Sequence, residues 1–351
     1  MKKPILLLLM LISASCAFSW NTPTIAGPSN GASTWAGTEL DWYSVIGSEF
    51  YQLQVDTSSN FNSPLFMQVD ETYINSSSAN NDTDEFVSDL LFGQTYYWRV
   101  RAGVSGDTSA WTTISSFTTR DYVTLSGPAN GSNVWTGTNF DWFAHHGVDF
   151  YEIQVDTSVN FNSPVFQNNV DAYINSNSSN NDTEEVITDM LFGETYYWRV
   201  RAINAVDTSA WTTEMVHTND YVTLSSPSNG SDVWTGTNFD WFAHHGVDFY
   251  EIQVDTSVNF NSPVFQNDVE AYINSNSSNN DTEEFVDDML FGETYYWRVR
   301  AINAVDTSAW TTEMVTTRDY VTLSSPANGS DVWTGTEFNW LAHHGVDFYE
   351  I

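Results

Sequence analysis

The stretch Met190-Leu-Phe-Gly-Glu-Thr-Tyr-Tyr-Trp-Arg-Val-Arg-Ala202 decides the fold. In it Tyr196, Trp198, Val200 and Ala202 alternate with Tyr197, Arg199 and Arg201. A period of two sets one row of side chains against a core and turns the other outward, so the segment predicts a strand with one buried face. Near-copies stand at Leu90 to Ala102 and Met289 to Ala301. Working outward, Phe140 and Trp142 alternate with Asp141, and Tyr151, Ile153 and Val155 alternate with Glu152 and Gln154. Turn formers separate these runs: Pro128-Ala-Asn-Gly131, Asn160-Phe-Asn-Ser-Pro164, Phe192-Gly193 and a polar run from Asn175 to Asp182. No segment sustains a helical period. Short strands and turns at this density predict an all-β chain of two-sheet antiparallel sandwiches.

The unit repeats. Tyr122-Val-Thr-Leu-Ser returns at Tyr221 and at Tyr320, a spacing of 99 residues each time, and Trp35 in a looser first copy answers to Trp135, Trp234 and Trp333. A period near 100 residues suits a tandem array of independently folding domains. The expected divisions are a signal peptide over 1–19 and repeats over 20–121, 122–220 and 221–319, with a truncated fourth copy over 320–351. The last 32 residues are too few to bury a core alone and are expected to fray or aggregate. The sequence therefore reads as the N-terminal portion of a longer protein. Between repeats there is no Gly/Ser or Pro run of the kind that makes a flexible linker, which predicts a fairly stiff string. Arg120 and Arg318, each beside a joint, could pair with acids across it; Asn219 at the middle joint cannot.

Lys2 and Lys3 precede a short apolar run, Pro4 to Ile12, and small residues at Ser13-Ala-Ser-Cys-Ala17. That is the pattern of a secretory signal, with cleavage before Phe18 or Trp20. The competing reading is a lipoprotein signal with Cys16 lipidated. The mature chain is expected to be secreted or held at the cell surface, with no membrane insertion after signal removal. Cys16 is the only cysteine, so no disulfide staples the domains. Acidic residues number 45 against 10 basic ones. Such a surface repels nucleic acid and anionic membranes. In salt near that of seawater the Debye length is roughly 4–5 Å, which screens much of the self-repulsion.

On these residues the chain resembles bacterial fibronectin type III domains, in a secreted, Bacteroidota-like style. Leu90 to Ala102, Met190 to Ala202 and Met289 to Ala301 look like the corner and F strand of that family. The resemblance makes Tyr96, Tyr196 and Tyr295 the corner tyrosines, with hydroxyls bonded to nearby backbone. It makes Trp42, Trp142 and Trp241 the buried tryptophan of strand B, and Leu90, Met190 and Met289 the residue that closes the core at the corner. Ser109-Ala-Trp111, with Trp211 and Trp310, resembles the start of strand G, and Phe117-Thr-Thr119 its end. Strand G is expected to end near Thr218, with the next first strand beginning near Tyr221. The family's corner proline is replaced by Phe92, Phe192 and Phe291. The resemblance implies an immunoglobulin-like sandwich and leaves function open, because the scaffold hosts many roles.

Three constellations are candidate sites. Trp35, Trp135 and Trp234 precede strand B outside its alternation; they could stack on a sugar, or cover a core end or a joint. Asp182, Glu184 and Glu185, with Asp281, Glu283 and Glu284, offer hard oxygens that suit calcium; the other reading is a solvated turn leading into strand E. The pairs His145-His146, His244-His245 and His343-His344 stand where repeat one has Ser44-Val45; they read as a polar turn with one ring packed under it. Tyr197, Arg199 and Arg201 are expected on an exposed face beside Glu152 and Gln154, as a cross-strand ladder. No catalytic motif recurs and no cofactor is required, calcium apart. The expected role is a non-catalytic stalk or adhesion module whose partners are neighbouring repeats and a protein or glycan surface. The alternative is an accessory spacer or carbohydrate-binding array of a secreted hydrolase whose catalytic domain lies beyond Ile351.

Overall fold

A computed structural model describes residues 21–69, 82–172, 182–271 and 281–350. The expected signal peptide with Cys16, and most of the polar run from Asn175, lie outside these residues. By contact density the chain forms two compact units. The first is Met1–Tyr122 with Ala144–Phe150 and Ala202–Ala210; the second is Val123–Phe143, Tyr151–Arg201 and Trp211–Ile351.

In the first unit the strands are β1 (Thr24–Gly27), β2 (Ala32–Thr34), β3 (Thr38–Tyr43), β4 (Phe50–Asp56), β5 (Leu65–Val69), β6 (Asp82–Val87), β7 (Thr95–Val104), β8 (Asp107–Thr108) and β9 (Ser115–Thr119). One sheet runs β1-β3-β6; the other runs β2-β9-β7-β4-β5, with β8 beside β7. Leu40, Trp42, Leu53, Trp98, Val100 and Phe117 fill the space between them. β7 alternates half-buried and buried residues along its length, as its sequence period requires.

The second repeat contributes β10 (Leu125–Gly127), β11 (Ser132–Val134), β12 (Thr138–Phe143), β13 (Phe150–Asp156), β14 (Phe166–Asp171), β15 (Asp182–Ile187), β16 (Thr195–Ile203) and β17 (Thr212–Thr218). The third contributes β18 (Leu224–Ser226), β19 (Ser231–Val233), β20 (Thr237–Phe242), β21 (Phe249–Asp255), β22 (Phe265–Glu270), β23 (Asp281–Val286), β24 (Thr294–Ile302) and β25 (Thr311–Thr317). Their sheets run β10-β12-β15 with β11-β17-β16-β13-β14, and β18-β20-β23 with β19-β25-β24-β21-β22. The chain is all-β, a tandem of fibronectin type III-like sandwiches. In each, the first strand is split: β18 pairs antiparallel with β20, and β19 pairs parallel with β25 in the opposite sheet. Pro227 sits between the halves, where the chain changes sheets and no ladder N–H is needed.

The buried tryptophans and corner tyrosines are where the resemblance places them. Trp42, Trp142 and Trp241 are wholly buried. The Tyr96, Tyr196 and Tyr295 hydroxyls accept the N–H of Leu91, Leu191 and Leu290 at 3.0, 2.9 and 2.8 Å. Two boundaries differ from expectation. β17 ends at Thr218, but the next strand starts at Leu224, because the side chain of Tyr221 packs edge-on against Trp135 instead of entering a ladder. The run from Asp182 is already strand: β15 pairs with β12 from Phe143↔Asp182 to Thr138↔Ile187. Its inward residues Thr183 and Ile187 are buried, which fixes the phase. The fourth copy holds only β26 (Leu323–Ser325) and β27 (Asn339–Trp340), and leaves Trp333, Leu323 and Phe348 largely exposed.

Candidate functional site: the turns that join the repeats

Each repeat offers two end faces. One is built from the turn before strand B, the corner turn and the chain's exit from strand G. The other is built from the turns after strands B and F. Within the first unit, residues 35–37, 90–93 and 119–121 of repeat one meet residues 122, 144–149 and 204–210 of repeat two. The rings of Trp35 and His145 lie 3.3 Å apart between centroids at 10°, with Tyr122 edge-on to Trp35 at 6.0 Å. Gly37 N–H donates to the His146 carbonyl at 2.9 Å. A Cβ on Gly37 would stand 2.5 Å from the Gly147 nitrogen, and Gly147 has φ +78°, so glycine at both positions lets the two backbones touch. Asn204 is 6% exposed, and its Nδ2 donates to the Leu90 carbonyl at 2.9 Å. Phe92 N–H donates to Asp207 Oδ2 at 2.9 Å, and Ala210 N–H to Asp121 Oδ1 at 2.7 Å.

The replacement of the corner proline is now explained. Proline has no N–H to give. Phenylalanine at this position supplies the donor that Asp207 accepts.

The second unit holds the same set. Trp135 and His244 stack at 3.4 Å and 9°; Gly137 N–H donates to the His245 carbonyl at 2.9 Å; Thr136 Oγ1 donates to the Gly246 carbonyl at 2.8 Å. Asn303 Nδ2 reaches the Met190 carbonyl, and Phe192 N–H reaches Asp306 Oδ2, both at 2.9 Å. The Phe192 ring, 6% exposed, belongs to the core cluster of the third repeat with Val247, Tyr250 and Ala301. Trp234 and His343 stack again at 3.4 Å.

Trp35, Trp135 and Trp234 thus line joints, with a histidine on a ring face of each. Arg120 and Arg318 could have paired with acids. Their guanidiniums instead lie 4.4 Å over Trp35 and 4.8 Å over Trp234, an attraction to the ring face that needs no carboxylate. Asn219 replaces them at the middle joint, 8% exposed, with its N–H on the Val134 carbonyl. The histidine ring is not under its own turn but on the preceding repeat's tryptophan. The alignment also shifts by one: Val45 N–H and His244 N–H each donate to the equivalent tyrosine hydroxyl, Tyr51 and Tyr250, so Val45-Ile46 and not Ser44-Val45 match the histidine pairs. Burial of the ring pushes His145 down to about 4, with Arg120 and His146 adding repulsion; burial, then His245, does the same to His244, also to about 4.

The arginine ladder forms, but under a roof. Arg201 pairs with Glu152 at 2.5 Å, and Arg199 donates to Gln154 Oε1 at 2.6 Å. Arg199 lies over Phe161 and Trp211 at 4.0 and 4.2 Å, and Arg201 over Trp211 at 4.4 Å. Glu152 and Gln154 are consequently 6% and 8% exposed, not solvated as expected. Arg298, Arg300, Glu251, Phe260 and Trp310 repeat the arrangement. Repeat one has Gln52 in place of the glutamate, accepting from Arg101 at 2.8 Å.

The acidic candidates do not converge. Glu184 is exposed and Glu185 half-buried on successive positions of a strand, which point to opposite faces. Glu184 accepts from Asn139 Nδ2 at 3.1 Å and Glu185 from Asn168 Nδ2 at 3.2 Å; Glu283 accepts from Asn238 at 3.1 Å, and Glu284 holds the position of Glu185. The side chains of Asp182 and Asp281 lie outside the described residues. Among the described residues no group of three or more His, Cys, Asp or Glu is placed to hold a metal ion, and no helix is long and apolar enough to cross a membrane.

No protein-family model and no curated protein matches the chain. Among solved structures it is similar to the FN1–FN3 domains of chicken CNTN1, with a TM-score of 0.23 and 14% identity over 86% of this chain and 100% of that one. It is also similar to a two-domain fibronectin type III segment of chicken tenascin, with a TM-score of 0.24 and 13% identity over 56% of this chain and 100% of that one. At those TM-scores the fold assignment rests on the chain's own strand order, buried tryptophans and corner tyrosines.

Proposed function

We propose that this chain is a non-catalytic stalk, secreted or held at a bacterial cell surface, that spaces an adhesive or enzymatic partner from its anchor. The observation that carries this reading is the bond from Phe92 N–H to Asp207 and its counterpart from Phe192 to Asp306. A domain that only needs to fold has no use for a carboxylate that satisfies its neighbour's corner. Stacked rings, buried asparagines and touching glycines recur at the same places in each unit. Each joint contact is short-ranged, so stiffness persists in high salt, where an acidic chain loses its own repulsion. Many copies in one chain also suit weak surface binding made strong by avidity.

Small-angle scattering of the full chain tests the reading. The expected curve is that of an extended particle, unchanged between low and high salt. Replacing Phe92 and Phe192 by proline removes both N–H donors and the inserted Phe192 ring, and should broaden the distribution of dimensions. A compact particle, or a wild-type chain already as flexible as the variant, would overturn the stalk.

A further inference from the structure

The histidine that docks each repeat is a titratable group placed in a site built for a neutral ring. His244 lies flat on Trp135, with its backbone N–H on Tyr250 Oη at 2.9 Å. Nε2 of His244 and of His343 is buried without a hydrogen-bond partner among the described residues. A proton added there carries its charge into a site with no acceptor for the new N–H, and an unpaired buried charge is costly. The charged and titratable groups around the first joint are Arg120 and Asp121 from repeat one and Tyr122, His146 and Asp207 from repeat two. At the second they are Asp220 from repeat two and Tyr221, His245 and Asp306 from repeat three. The four aspartates each accept a backbone N–H, from Ala210, Phe92, Ala309 and Phe192. Arg120, over the Trp35 that His145 also faces, would repel a second cation.

We propose that the joints are acid-released locks: protonation of His145 and His244 undocks repeats two and three from the tryptophan before each, turning a stiff array flexible at mildly acidic pH. The inference rests on the stalk reading and adds its regulation. The sign follows from which form the joint prefers. A histidine whose docked form holds its proton less tightly than the free form favours docking fully above pH ~6.5, and that preference drains away as pH falls toward the docked value. With His145 and His244 held down to about 4, the docking equilibrium at pH 5 should be about 30-fold weaker than at pH 7.5.

Hydrogen exchange on the full chain, corrected for the intrinsic rate at each pH, reads this residue by residue. The reporters are the N–H groups of Gly37, Gly137, Phe92 and Phe192, with the N–H groups of β16 and β24 as core references. The expected result is a loss of protection of about 30-fold at the reporters between pH 7.5 and 5, with the core references steady. In H145F/H244F, which keeps a ring on each tryptophan, the loss should vanish. Wild-type reporters that track the core across this range would overturn the proposal, as would a pH response that survives in the phenylalanine variant, since that would assign it to the aspartates. Reporters already unprotected at pH 7.5 would sink the stalk reading itself, an outcome distinct from a lock that forms and ignores pH.

Discussion

The turn after strand B exists in two versions. In repeat one it closes on itself: Val45 is 8% exposed and joins the core, Val45 N–H donates to Tyr51 Oη at 2.7 Å, and Ser48 Oγ donates to the Val45 carbonyl at 2.8 Å. The next residue, Ile46, is 84% exposed, and Val104 stands where Asn204 and Asn303 stand later. In repeat three the same tyrosine hydroxyl holds the same turn, but His244 lies on Trp135 and Asn303 grips the Met190 carbonyl. One scaffold therefore serves both a turn closed on its own core and a docking turn, and a few side chains decide between them. Repeats two to four carry the histidine pair and repeat one lacks it.

The largest effect that would sharpen this comparison is at the inserted ring. Phe192 is 6% exposed in the third repeat's core cluster, whereas Phe291, its counterpart one repeat on, is 54% exposed. Phe192→Ala should cost about 3 kcal/mol of unfolding free energy. Phe291→Ala in the same chain should cost under ~1 kcal/mol, as exposed sites do. Equal losses in denaturant titrations would mean that the corner phenylalanine serves its own repeat and not the next.

The aspartate of the turn after strand F comes second. Asp306→Ala leaves the Phe192 N–H at the joint without its acceptor, for an expected loss of about 1–3 kcal/mol. Asp107 holds the matching position in repeat one, exposed, and accepts the neighbouring Thr108 N–H. Asp107→Ala should change stability by less than ~0.5 kcal/mol. The contrast breaks if both variants unfold at the same denaturant concentration.

Third is the backbone contact. Gly246 has φ +79°, and a Cβ there would run into the Gly137 nitrogen, far inside van der Waals contact. Gly246→Ala should therefore part the joint without harming either core. The N–H of Gly137 should then exchange faster by at least ~10-fold, while the β24 N–H groups keep their protection. Loss of protection in both places would show that the joint and the core are one cooperative unit.

The sandwiches were legible in the sequence because their signal is local. Tyr196, Trp198 and Val200 announce their strand by period alone, and the corner tyrosine lies five residues from the N–H it binds. The ladder was legible in its partners but not in its burial, because Trp211, ten residues past Arg201, folds back as a roof. The joints were legible in one residue only: the tryptophans before strand B read as covers of a core end or a joint, but what they meet did not show. The Phe192 donor and its Asp306 acceptor are 114 residues apart, and no periodicity links Trp135 with His244. One signal was available. His145, His146 and Asn204 are all present in repeat two and their counterparts in repeat three, and all are missing together from repeat one. Joint loss at positions distant in sequence is what a shared partner produces. Arg120 was misjudged for a related reason: in so acidic a chain a carboxylate seemed the natural neighbour, while the tryptophan face offered to it is visible only in the fold.

The smallest expected effect lies at the one joint without a guanidinium. Asn219→Arg would give the middle joint the residue that Arg120 and Arg318 supply at the others. At neutral pH a guanidinium over Trp135 should add roughly 0.5–1 kcal/mol, the range for such contacts at partly exposed sites. The same charge beside His244 would make protonation of that ring harder still, as Arg120 does for His145. The variant should therefore gain stability at pH 7.5 and keep nearly the same margin down to pH 5, where a docked ring already held to about 4 is almost wholly neutral, and lose more than wild type only below pH ~4, where the two stability curves should converge. A parallel offset at every pH would mean that the arginine and the histidine act on the tryptophan independently. The Asn219–Arg318 difference would then be neutral drift between two near-identical repeats, not a graded setting of where each joint releases.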